Sequence, residues 1–72
     1  MNLETYQKEY EKHIELQQFF IDKCKADIQK AKMLGDRDAL KLLQGNLRKF
    51  NEIKEDLELT ALLLKNYYKG ES

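Results

Sequence analysis

His13 and Cys24 have the widest chemical repertoire in this chain, and each residue type occurs once. An imidazole beside a carboxylate can pass a proton or hold a metal. Helical spacing gives His13 the neighbours Glu9 and Gln17, and an antiparallel partner helix brings Glu58 near it. Such a pair lacks the further ligands a metal site needs, so His13 is expected to flank a packed seam. Cys24 cannot form an intrachain disulfide and has no second cysteine for a zinc site. It falls on an apolar stripe, which predicts an inert buried thiol. Asp36 and Asp38 alternate as in a calcium loop, but the glycine and terminal glutamate of such a loop are missing, and helix capping accounts for them. With neither a phosphate-cradling glycine loop nor a Ser/His/Asp set, the chain is expected not to be an enzyme and to use no cofactor, metal or small-molecule substrate.

Charge offers a second kind of chemistry. Thirteen basic and thirteen acidic residues cancel over the chain, yet they are segregated. Residues 23–49 carry a net +5, whereas residues 1–22 and 50–72 carry −3 and −2. Lys23, Lys30, Lys32, Arg37, Lys41, Arg48 and Lys49 form a basic patch, and a nucleic-acid accessory role is the alternative that it raises. Eleven of the thirteen basic residues are lysine, the type less suited to bidentate base or phosphate recognition. The patch also has no interleaved aromatics for stacking. Protein binding is therefore the favoured expectation.

Length and composition bound the elements that carry these groups. Seventy-two residues allow one domain, 1–72, and 42 % hydrophobic content in a periodic pattern argues against disorder. The longest apolar run, Ala61 to Leu64, is far short of the roughly 18 residues of a membrane span. Glu4, Glu9, Glu11 and Glu15 near the start are the reverse of a secretory signal. A cytoplasmic location is expected, and the lysine-heavy basic set points to an AT-rich bacterial or bacteriophage genome.

Gly35-Asp36 is the strong break: a glycine to end one helix, then an aspartate to cap the next. The predicted elements are a helix over 3–34, a turn at 35–36, a helix over 37–69 and a frayed tail over 70–72. Gly45 competes as a break, but Leu40, Leu43, Leu47, Phe50, Leu57, Ala61, Leu64 and Tyr68 keep heptad phase through it. Leu3, Tyr10, Ile14, Ile21, Cys24, Ile28 and Ala31 form the matching seam, with Phe20 and Leu34 flanking it. Folding the chain at Gly35 pairs positions with a constant sum of about 71. Ile21 then meets Phe50, Cys24 meets Leu47, and the polar Gln17 faces Lys54 in a layer that penalises slipped registers. The fold class is all-α, an antiparallel, coiled-coil-like two-helix hairpin.

One seam leaves apolar residues over. Leu16, Phe19 and Met33 on the first helix, and Leu42, Leu59, Leu62 and Leu63 on the second, predict a protein-binding surface that includes Lys23 and Asp56. The expected partner is a second copy closing a four-helix bundle, a different protein being the rival. In the register considered, the first helix lies along the partner's second with a position sum of about 79. That brings Leu16 to Leu63, Phe19 near Leu59 and Lys23 to Asp56. Tyr6, Tyr10, Tyr67 and Tyr68 gather at the open end, as an amphipathic lid or as a contact patch. In shape the hairpin resembles the short sporulation phosphatases that act on aspartyl-phosphate response regulators. Their Ser-Gln-Glu-Leu-Asp motif has no counterpart here; the nearest stretch, Leu43-Gln44-Gly45-Asn46-Leu47, lacks its acidic residues, so no residue is carried over.

Overall fold

The computed structural model describes residues 3–71, with side chains through Tyr68, as two α-helices, α1 (Leu3–Leu34) and α2 (Arg37–Glu71). They pack against each other as a hairpin. The turn is built by two adjacent residues. Gly35 adopts a left-handed φ of 69°, which turns the chain out of α1 without the Cβ clash that an L side chain would meet. Its amide donates to the Lys32 carbonyl at 3.2 Å, and the Asp36 amide donates to the Ala31 carbonyl at 3.0 Å. These are the two hydrogen bonds of a Schellman ending, and they satisfy carbonyls that the helix terminus would leave bare. Asp36 then caps α2, its carboxylate Oδ1 accepting from the Ala39 amide at 3.1 Å.

α2 runs through Gly45 without a break, as heptad phase requires. It also continues to Glu71, past the predicted end at Lys69. Gly70 does not stop it: the left-handed conformation by which a glycine commonly ends a helix is taken by Gly35. The rest of the expected tail, Ser72, lies outside the described residues.

The seam follows the predicted register. Ile21, Cys24, Ile28 and Ala31 are the buried side chains among the described residues, and all four lie in the half of α1 next to the turn. Phe20 stacks on Phe50 with ring centroids 5.5 Å apart. The polar layer is shifted by one residue from expectation: Lys54 Nζ donates to Gln18 Oε1 at 2.6 Å, not to Gln17. A lysine stem can reach past the seam to its flank, where its ammonium stays partly in water and 3.8 Å from Glu58. Gln17 keeps the seam position, and its Oε1 is buried with no hydrogen-bond partner among the described residues.

The hairpin is long and thin, 56 × 15 × 13 Å, with a Cα radius of gyration of 16.5 Å. A compact chain of this length would have a radius of about 11 Å. Its surface of 5952 Å² exceeds the roughly 4,700 Å² expected of a compact protein of its mass.

The two glycines make opposite predictions. Gly35→Ala forces a side chain into left-handed φ and should destabilise by about 1–2 kcal/mol. Gly45→Ala places a methyl in open space on a helix and should stabilise by about 0.5–1 kcal/mol. Urea unfolding at one fixed protein concentration measures both; a stabilised Gly35→Ala or a destabilised Gly45→Ala contradicts this account of the turn.

Candidate interaction surface

Helical phase divides the outside of the hairpin into two long faces separated by the seam. A shallow groove lined by Asp27, Lys30 and Leu34 of α1 and by Ala39, Leu42 and Leu43 of α2 opens on the first face near the turn. Extending those positions by heptads adds Leu16, Phe20 and Lys23 along α1, and Lys49, Ile53, Asp56 and Leu63 along α2. The second face carries Lys25, Gln29, Lys32 and Gln44 in one depression and Gln7, Glu11, Leu62 and Lys65 in another.

Ten large apolar side chains are exposed among the described residues, and they are unevenly shared between these faces. Six lie on the first: Leu16, Leu34, Leu42, Ile53, Leu63 and Tyr67. Phe19, Met33 and Leu59 lie along the outer edges of the hairpin. Leu62 alone lies on the second face. The predicted interface residues Leu16, Phe19, Lys23, Met33, Leu42, Asp56, Leu59, Leu62 and Leu63 are thus all exposed, but only Leu16, Lys23, Leu42, Asp56 and Leu63 share the first face; Phe19, Met33 and Leu59 lie on the edges and Leu62 on the second face. Phe20 is half-buried, its ring held between Phe50 and the edge of Phe19 at 6.0 Å.

Ile53, 43 % exposed, is an interface candidate that the stripe-by-stripe sequence expectation omits. It sits one position from the seam and belongs to neither off-seam stripe of its own helix. The signal that finds it is the joint face: residues flanking the seam on the same side of both helices. Leu34, expected to flank the seam, is 72 % exposed, because the chain turns away at Gly35 before α2 can cover it.

The basic patch is brought together only in part. Lys41 and Lys49 line one shallow depression on the outside of α2, and Lys32 and Arg37 line another at the turn, whereas Lys23 and Lys30 lie on the first face among apolar residues; all seven basic residues, Arg48 included, are exposed. His13 is exposed and edge-on to Tyr10, with ring centroids 6.5 Å apart, and Glu58 pairs with Lys54 in its own helix. No group of three or more His, Cys, Asp or Glu that could hold a metal occurs among the described residues. At the open end Tyr6 meets Tyr68 at 6.1 Å and Tyr67 meets Tyr68 edge-on at 5.4 Å. That is a ring cluster closing the seam, with Tyr67 at its exposed edge.

Cys24 is 5 % exposed, and its thiol donates to the Leu43 carbonyl at 3.1 Å. The contact ties the middle of α1 to the turn-proximal part of α2. Among the described residues no helix is long and apolar enough to cross a membrane. No protein-family model, curated protein or solved structure matches the chain.

A thiol reagent tests this placement of Cys24. Because the sulfur is reached only when the helices part, labelling by a bulky disulfide reagent should be slow in buffer and become immediate in denaturing urea. Labelling in buffer at the rate of a free thiol contradicts a sealed seam.

Proposed function

We propose that this chain is a non-enzymatic protein-interaction module that acts in the cytoplasm, a small regulator, inhibitor or adaptor. It self-associates through an apolar face of its hairpin as a homodimeric four-helix bundle. The observation that carries this proposal is the asymmetry between the two long faces, six exposed large apolar residues against one. Scattered exposed leucines are ordinary on a protein surface, but exposed apolar residues gathered on one side of a fold, with charged residues spaced among them, are what a partner covers.

The size of the face fits such a partner. A face of 56 × 15 Å offers about 800 Å², the area each member of a standard protein interface contributes. Two helices joined by one seam form a marginal core at this chain length, and oligomerisation is one of the routes by which small chains complete it. A second face packed against the first would surround Phe20 and Ile53 with apolar atoms, each fully buried side chain of this size contributing roughly 1.5–3 kcal/mol. The free thiol of Cys24 suits a reducing compartment.

Sedimentation equilibrium at micromolar concentration tests the proposal. A mass twice 8.6 kDa is expected for the chain and for Leu62→Ser, which alters the other face. Leu16→Ser combined with Leu63→Ser should shift the equilibrium toward monomer by about tenfold or more. A strictly monomeric chain with a sharp thermal transition overturns self-association.

A further inference from the structure

We infer that two copies pack first face against first face in opposite directions, about a two-fold axis that crosses the hairpin at Phe20 and Ile53. This rests on the self-association proposed above and adds its surface, direction and register.

Two symmetric ways exist to lay one long face on its copy. If the axis runs along the hairpin, each α1 lies over the partner's α2 and residues at equal height meet. The heights are fixed by the contacts within the hairpin, which pair Phe20 with Phe50 and Gln18 with Lys54. Lys23 then faces the partner's Lys49, Leu16 faces the partner's Asp56, and Lys30 faces the partner's Leu42. Both basic turn ends also lie together. The stagger that joins Leu16 to Leu63 departs from equal height by one heptad, about 10 Å, and a closed two-fold dimer does not permit it.

If the axis instead runs across the hairpin, each helix lies antiparallel on its own copy. Taking the axis through Phe20 and Ile53, Glu9 comes opposite the partner's Lys30, and Lys49 opposite the partner's Asp56. Leu42 comes opposite the partner's Leu63, and His13 opposite the partner's Asp27. Leu16 lies against the partner's Lys23, whose aliphatic stem can cover it. Lys30 and Lys49 then each meet an opposite charge, Lys23 lends its stem to an apolar neighbour, and Asp27 meets an imidazole that can hydrogen-bond to it. Phe20 and Ile53 each meet their own copy at the centre. α1 and α2 reach this arrangement independently, and their two centres lie at the same height on the hairpin, as one axis requires.

Charge over the whole chain selects the same direction. Residues 23–49, net +5, occupy the turn end, and the remaining residues, net −5, occupy the open end. Antiparallel copies set each positive end over a negative one, twice per dimer. Complementarity of this kind fixes orientation and register more than it adds affinity.

Two measurements test this. In a Cys24→Ser chain, Ile53→Cys places a thiol beside the axis, and mild oxidation should yield a disulfide-linked dimer in near-complete yield with helical circular dichroism unchanged. Separately, Lys49→Asp or Asp56→Lys alone should weaken the dimer by about tenfold or more, and the two together should restore it to within about threefold. A dimeric mass with the new thiol unoxidised and no recovery in the double variant overturns the direction and leaves self-association standing. A monomeric mass throughout overturns both.

Discussion

Two helices that touch along one line can each bury only one stripe. That constraint governs this molecule. The stripe on α1 is covered well only toward the turn, where Ile21, Cys24, Ile28 and Ala31 are buried; toward the open end the seam residues are half-buried. Everything else apolar stays at the surface, and the chain exposes more area than its mass requires. A third layer is the physical remedy, and one long face of the hairpin carries six of the ten large apolar side chains exposed among the described residues.

The turn decides which face that is. Gly35 and Asp36 end one helix and cap the next within two residues, so the heptads of α1 and α2 are locked in phase. Residues flanking the seam on one side of α1 therefore stand beside their counterparts on α2. Leu16, Phe20, Ile53 and Leu63 form one surface only because of that lock. The Cys24 thiol on the Leu43 carbonyl and Lys54 on Gln18 pin the same register at two further heights.

Much of this is legible in the residue order. Glycine followed by aspartate between two heptad runs gives the turn, and unbroken phase across Gly45 gives one α2 rather than two shorter helices. The polar layer was displaced from Gln17 to Gln18 because adjacent residues differ by less than the reach of a lysine side chain, which periodicity cannot resolve. α2 passes Gly70 because composition marks where a helix can stop, whereas a stop requires the backbone hydrogen bonds found at Gly35. Ile53 escapes any search made one helix at a time, since the surface it belongs to exists only after the hairpin forms. The basic residues likewise read as one patch along the chain and are spread around the turn end in space, only some of them as neighbours.

Small-angle X-ray scattering with an absolute mass tests the central claim, that the exposed face is covered by a second copy lying along it, most directly. The axis crosses near the middle of α1, so the two hairpins lie almost flush. The account predicts a particle of about twice the chain's mass whose longest dimension stays near 60 Å, little more than one hairpin. A particle of single-chain mass, or a dimer close to twice the length of one hairpin, contradicts it.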